Sequence, residues 1–317
     1  MKKSQKTAYG GQAVVEGVMF AGKSSYVTAV RRKDESIEYF ELDRKESKVA
    51  RRLKKIPFVR GIVSLLQASA NGTKHLNFSS ERYDVHPDDD DEIQSEEETS
   101  KLAMILGVGA VGILSFLFGK LIFTVTPAIV ANFFTPIVSG TVGQVILESC
   151  FKLILLLLYI YLISMTPIIK RVFQYHGAEH KVINTYENGK DLTVENVQQQ
   201  SRLHYRCGSS FILFTVIVGM FVYMFVEPDP LWWRVVNRIL LIPVVIGISF
   251  EVLQFTNKVR NVPLLNLLGY PGLWLQLLTT KEPKDDQVDV AIHSFNKVLE
   301  NDKNSAKRGI ENSKVVS

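Results

Sequence analysis

Apolar residues are concentrated between positions 102 and 279 of this chain, with polar and charged segments on either side. Four runs there approach the ~20 apolar residues a bilayer requires. They are Leu102 to about Val125, about Val145 to Ile169, Ser209 to Val226, and Val235 to Phe255. Each predicts a transmembrane helix. Pro127, Pro136, Gly140 and Gly143 break the chain between the first two, and Pro228-Asp229-Pro230 turns it between the last two. A further apolar run, 263–279, is interrupted by Gly269-Tyr270-Pro271-Gly272. Each half is too short to cross, which predicts a re-entrant or interfacial segment with Tyr270 and Trp274 at headgroup level.

The polar segments carry other periods. Residues 10–42 alternate as strands do: Ala13 to Glu16, Tyr26 to Val30 and Ile37 to Phe40, separated by turns at Gly22-Lys23 and Lys33 to Ser36. They predict a small antiparallel meander in a β-rich segment, 1–55. Residues 56–80 read as a helix in which Arg60, Ser64, Gln67, Asn71 and Lys74 form one narrow polar stripe. So wide an apolar face belongs in a membrane interface or against a bundle; the alternative is a core helix of a soluble N-terminal domain. Residues 81–100 are an acidic linker, expected to be disordered because dense like charges repel. Helices 1 and 2 of the membrane part occupy 101–169, a cytoplasmic helical loop 170–208, helices 3 and 4 209–256, and the broken apolar segment 257–280. Within the loop, a helix over Val172 to Tyr186 should stop at Asn188-Gly189, and Thr193 should cap a second running to Leu203. In 281–317, Val288, Ala291, Ile292, Phe295 and Leu299 share one helix face, and the tail after Glu300 reads as disordered. The fold class expected is a predominantly α-helical integral membrane protein with about four transmembrane helices, interfacial or re-entrant segments, and an N-terminal β-meander.

Charge orients this arrangement. Residues 1–60 hold fifteen Lys and Arg, the 126–144 turn none, the 170–206 loop six, and the 227–234 turn only Arg234. The positive-inside rule then puts both termini and the 170–206 loop in the cytoplasm. Apolar content of 46% and a mean hydropathy of +0.10 are high for a chain with two charged ends. The net charge of +5 follows the membrane-flanking segments, so no nucleic-acid partner is expected. Two cysteines, one of them Cys150 within an apolar run, give no disulfide framework. The basic start, Met1 to Lys6, has no apolar core after it, and a secretion signal is not expected. The lipid bilayer is the expected partner, with room for a membrane-protein partner; the sequence gives no oligomeric state.

Candidate chemistry sits at Tyr175-His176-Gly177-Ala178-Glu179-His180-Lys181, which reads H-x-x-E-H. Residues three and four apart share a helix face, so His176, Glu179 and His180 would point one way, as metal ligation requires. His204 and Cys207 follow in His204-Tyr205-Arg206-Cys207. Three of the six histidines and one of the two cysteines thus fall between positions 176 and 207. The plainer reading is that two histidines pack or cap a helix end near lipid headgroups. On the metal reading, His176, His180, His204 and Cys207 hold zinc or another divalent transition metal. Glu179 is then the general base, and Arg206 holds an anionic group of the substrate. Glu251, an ionisable residue inside the fourth run, is either a further ligand or proton carrier, or a snorkelling glutamate. A second motif, Gly17-Val18-Met19-Phe20-Ala21-Gly22-Lys23-Ser24, matches the phosphate-loop pattern letter for letter. The segment after it alternates like a strand, whereas phosphate binding needs a helix N-terminus there.

Several phrases in order resemble the YqhQ family of bacterial multi-pass membrane proteins. They are Gly10-Gly11-Gln12-Ala13-Val14-Val15-Glu16-Gly17-Val18-Met19, Pro57-Phe58-Val59-Arg60-Gly61, the H-x-x-E-H phrase, Arg206-Cys207-Gly208, Gly269-Tyr270-Pro271-Gly272-Leu273 and Leu278-Thr279-Thr280. The resemblance covers nearly the whole chain outside the acidic linker and tail. It implies residence in the bacterial cytoplasmic membrane and a biochemical role described only as that of predicted metal-dependent enzymes. Two departures stand out. Phe20-Ala21-Gly22-Lys23 replaces a Met-Arg-Gly-Pro phrase, and Tyr205 stands where the family pattern has Pro.

Two functions from different classes follow. One is a metal-dependent hydrolase at the inner membrane surface, acting on a lipid-linked or membrane-protein substrate. The other is a non-enzymatic scaffold or accessory factor in envelope or membrane-protein biogenesis, with a structural metal or none. A transporter ranks third, because the runs hold few charges to form a path.

Overall fold

The computed structural model describes residues 9–89, 118–119, 122–226 and 230–315, without the side chains of 231, 234, 235 and 309–315. The first expected span and most of the acidic linker lie outside the described residues.

The N-terminal meander has four strands, not three. They are β1 (Gly10–Val14), β2 (Gly17–Ala21), β3 (Ser25–Arg31) and β4 (Ile37–Asp43), antiparallel in sequential order. The strand that alternation missed is β2. Gly17 to Phe20 are all buried, because this central strand is covered on both faces and shows no polar side. The phosphate-loop lookalike is therefore β2 plus its hairpin. The amides of Lys23 and Ser24 and the Ser24 hydroxyl all donate to the Asp302 carboxylate, at 2.8–3.1 Å. The anion these groups hold belongs to the chain itself.

One face of the sheet shares a core with helices far along the chain. These are α5 (Pro167–Glu187), α6 (Val194–Gln198) and α11 (Asp285–Val315). Phe295, fully buried, meets Tyr9, Phe20 and Tyr186 edge-on at centroid distances of 4.9–5.2 Å. The sheet thus is not a separate domain; the 170–208 loop and the C-terminal helix complete it. The face Val288, Ala291, Ile292 and Phe295 of α11 is buried as the periodicity predicts. The expected disordered tail is instead helix to Val315.

Two helices, α1 (Lys48–Leu53) and α2 (Val59–Arg82), follow the sheet. The side of α2 turned to the protein is small and polar: Gly61, Gly72, His75 and Ser79 are buried. His75 Nδ1 lies 2.6 Å from Thr28 Oγ1, and Ser79 Oγ accepts from Val15 N–H at 3.2 Å. Leu66 stays 65% exposed, with Leu65 and Leu76 also exposed. A core helix of a soluble domain would bury those leucines.

The apolar half holds α3 (Ile122–Phe133), α4 (Thr141–Ile163), α7 (Gly208–Tyr223), α8 (Leu231–Leu240), α9 (Ile242–Lys258), a 3-10 turn (Leu265–Gly269) and α10 (Tyr270–Thr279). Among the described residues, α4 alone is long and apolar enough to cross a membrane. It has 23 residues, a mean hydropathy of 2.2 in its most apolar stretch, and only 11% of that stretch buried. The other expected spans are cut shorter. The second run ends at Ile163, and Pro167, at the start of α5, opens a new helix in the register where its missing N–H costs nothing. The fourth run splits at Leu241, because Pro243 cannot continue the ladder of α8. What results is a helix with exposed Trp232, Trp233, Ile239 and Leu240, tied to α4 by an Arg238–Glu148 ion pair. The loop helix begins at Pro167 rather than Val172. Thr193 does cap α6, accepting from Asn196 N–H at 3.2 Å, but α6 ends at Gln198.

Candidate metal centre

Helix α5 carries the H-x-x-E-H phrase into the seam between the sheet half and the apolar half. Gly177 is there for a steric reason: a β-carbon on it would lie 2.1 Å from Lys281 O. The strap leaving α10 crosses α5 at that point, and Lys281 N–H donates to Phe173 O at 2.8 Å. This crossing brings a carbonyl to the first histidine: His176 Nδ1 is 2.8 Å from Thr279 O. His180 Nδ1 is likewise 2.6 Å from Arg202 O. A carbonyl only accepts, so both Nδ1 atoms carry a proton, and Nε2 is the atom of each neutral ring left to bind a metal.

The first of these Nε2 atoms meets a sulfur. His176 Nε2 lies 3.2 Å from Cys207 Sγ, and the two imidazole centroids are 4.5 Å apart. Ligand atoms of His176, His180 and Cys207 all fall within 4.8 Å of one another. Cys207 is the N-cap of α7, so the positive end of that helix faces its sulfur, which accepts from Ser209 N–H at 3.4 Å. The three donors come from α5 and from the N-cap of α7; the loop return expected to bring back both His204 and Cys207 brings Cys207.

Glu179 shares the helix face but not the group. Its carboxyl is buried against Gly11 of β1. Burial pushes its pKa up to about 7, against the pull of His176 and the Gly11 amide.

His204 is not brought to the other donors. Its Nε2 lies 3.8 Å from Glu187 Oε2, and its ring centroid is 5.7 Å from that of His180. Buried Gln276 holds the His204 backbone from both sides, accepting from its N–H and donating to its carbonyl, each at 2.8 Å. Burial holds the His204 pKa below its ordinary value despite Glu187.

Arg206 is ion-paired with Glu187 and also donates to Tyr9 O at 3.3 Å, so it is not a free anion clamp. Arg260 approaches the same carboxylate at 3.6 Å. Burial pulls Glu187 upward, but His204 and Arg206 outweigh it and hold its pKa at about 2. Glu251 is also elsewhere. Its carboxylate accepts from Arg60 Nε at 2.7 Å and from Phe58 N–H at 3.1 Å, fastening α2 to α9.

Sequence reasoning missed four participants. Thr279 and Arg202 act through backbone carbonyls, which no side chain advertises. Gln276 sits in an apolar helix as one buried amide, and Gly11 matters for the β-carbon it lacks.

A family described as "Protein of unknown function (DUF1385)" matches residues 56–301. The "Uncharacterized protein YqhQ" of Bacillus subtilis (strain 168) is 66% identical over 293 residues, which is 92% of each chain. No solved structure matches. The family resemblance carried by the six sequence phrases is borne out, and the match spans every donor of the centre.

Proposed function

The chain belongs to the DUF1385 family that includes YqhQ, and for it we propose a metal-dependent hydrolase at the cytoplasmic face of the membrane. One observation carries the reading. Two imidazoles have their Nδ1 protons tied to backbone carbonyls, His176 Nε2 lies 3.2 Å from Cys207 Sγ, and a ligand atom from each of His176, His180 and Cys207 falls within 4.8 Å of the others.

The donor set fits zinc. Around a tetrahedral zinc, nitrogen and sulfur donors stand roughly 3.5 Å apart given bond lengths of ~2.0 and ~2.3 Å. His176 Nε2 and Cys207 Sγ are 3.2 Å apart. Two nitrogens and one sulfur leave a fourth position open, as in catalytic sites, whereas a four-residue set would be closed. Bound there, zinc would act as a Lewis acid and lower the pKa of a water molecule. The chain's own groups do the rest. His176, His180 and Cys207 hold the ion, with Thr279 and Arg202 fixing the imidazole tautomers. Glu179, one residue from His180 and held near neutrality by burial, would be the group to take up a proton at its carboxylate and return it. The arginines around Glu187 carry one positive charge more than that carboxylate cancels, which favours an anionic substrate group nearby.

The membrane placement rests on the apolar, outward-facing surface of α4, on the exposed leucines of α2 and on the asymmetry of basic residues. With several spans and both termini inside, the centre lies at the inner headgroup level, suited to a lipid-linked or membrane-protein substrate.

The test is metal analysis of the purified full-length protein beside His176→Ala and Cys207→Ser, with Glu179→Gln assayed for function in cells. About one equivalent of zinc in wild type, lost in His176→Ala, together with a metal-loaded but inactive Glu179→Gln, is the expected result. A metal-loaded Glu179→Gln that functions fully would leave a scaffold stapled by a structural ion. A metal-free wild type that functions in cells would remove the hydrolase altogether.

A further inference from the structure

A large apolar groove lies outside the metal centre. It has a volume of about 950 Å³ and runs between α7, α9 and the 3-10 turn that leads into α10. Ile217, Phe221 and Val222 of α7, with Phe225 just past its end, line it together with Ile248 and Val252 of α9. Among the described residues, Thr256 is the one polar residue on its walls. The α7 wall runs from Phe214 to Val222, about 12 Å along the helix, and Phe225 and Val226 just past its end extend it.

One end of the groove adjoins the candidate centre. Phe214 stands seven residues beyond Cys207, about 10 Å along α7. The same end is closed by Leu267, Leu268 and Pro271. The helix start there is packed hard onto the return loop. A β-carbon on Gly269 would lie 2.6 Å from the Tyr205 ring, and one on Gly272 would lie 2.7 Å from Ser210. On the α9 side, Thr256 is followed by Lys258, which is exposed, and by Arg260, which shares Glu187 with Arg206. The groove walls are therefore apolar, and just beyond the end nearest the centre Arg260 and Arg206 together exceed the Glu187 carboxylate they share by one positive charge, with Lys258 beside them.

Its chemistry discriminates between occupants. Helices dock on one another in membranes through small residues that allow close backbone approach. Phe, Ile, Val and Leu line this groove, with no Gly, Ala or Ser among them. A flexible hydrocarbon chain fits such a surface, and the basic end matches a phosphate. We propose that this groove binds the hydrocarbon chain of an anionic lipid and delivers its headgroup, past Arg260 and Arg206, to the candidate metal centre. The inference rests on the membrane-surface hydrolase reading above and gives its substrate class: a phosphate-bearing lipid.

The probe is a photoactivatable phosphatidic acid with its reactive group in the acyl chain, at low mole fraction in phosphatidylcholine nanodiscs holding the full-length protein. Labelled peptides are mapped, and metal is measured on the same samples. Labelling should concentrate on α7 and α9 at the groove. It should fall about tenfold in Val222→Trp and in Ile248→Trp, two independent fillings of the groove, with metal unchanged in both. A few-fold fall in Arg260→Gln is expected. A phosphatidylcholine probe should label the groove several-fold less. His176→Ala should lose metal yet keep the label. Labelling spread evenly over α4 and α7, labelling indifferent to both tryptophans, equal labelling by the two lipids, or a cross-link to a second polypeptide would each overturn the inference. Groove labelling on a protein that binds no metal would support the lipid site while removing the hydrolase reading.

Discussion

Gly11 of β1 lies against the carboxylate of Glu179 on α5, and the glycine is what makes room for it. A β-carbon at Gly11 would come within 2.9 Å of Glu179 Cγ and Cδ and 2.7 Å of Met19 O. The amide of that same glycine helps to pull the carboxyl's pKa down against its burial. Gly11→Ala should therefore displace Glu179 at a cost of about 1–3 kcal/mol of stability, the usual range for overpacking. Function in cells should fall as it does in Glu179→Gln, while metal content holds. A fully functional Gly11→Ala with unchanged melting would separate Glu179 from any role set by β1.

The cysteine, rather than the third histidine, completes the donor set. Removing an inner ligand should lower metal affinity by two orders of magnitude or more, so Cys207→Ser and His180→Ala should lose metal on dialysis. His204→Ala should keep it, because Nε2 of His204 faces Glu187. Metal titration of the purified variants decides this. Loss of metal in His204→Ala with retention in Cys207→Ser would reverse the assignment.

His75 makes the junction of α2 and the sheet sensitive to acid. Burial, with a smaller push from Lys74, lowers its pKa from 6.5 to about 4 in the folded protein. The folded state favours the neutral ring, so its contribution to stability is complete above about pH 6.5. It is lost as pH falls through that value towards 4, approaching about 3 kcal/mol. Melting temperatures from pH 7.5 to 4.5 should fall in wild type and fall less in His75→Phe. Parallel curves for the two proteins would assign the acid sensitivity to other groups.

The Arg60–Glu251 pair should be structural. Glu251→Gln should loosen α2 from α9 by about 2 kcal/mol, a charged hydrogen bond's worth, without changing metal content. Proteolysis in the 56–82 segment should quicken as metal stays bound. Metal loss without that change would return Glu251 to the centre.

The lookalike at Gly17 to Ser24 shows why local pattern has limits. Its letters satisfy a nucleotide-binding motif, yet β2 is a central strand and the amides of its hairpin hold Asp302, 278 residues away from Ser24. The span pattern has a similar limit. Hydropathy located the apolar runs, but Pro167 and Pro243 set where helices start, and the continuous fourth run is two helices.

What the sequence determined by itself was local: the strands that alternate, the helix that puts His176, Glu179 and His180 on one face, its stop at Asn188-Gly189, and the apolar faces of α4 and α11. These follow from backbone periods of two and 3.6 residues and from capping chemistry, which act within a few positions. Only the tertiary structure decided which groups meet. It turned His204 to Glu187 and Cys207 to His176, gave Glu251 to Arg60, and supplied two carbonyls that set the imidazole tautomers. Such choices depend on how distant elements cross, as the 279–281 strap crosses α5 at Gly177. A backbone carbonyl looks the same in every residue, so no reading of side chains along the chain could have picked out Thr279 or Arg202.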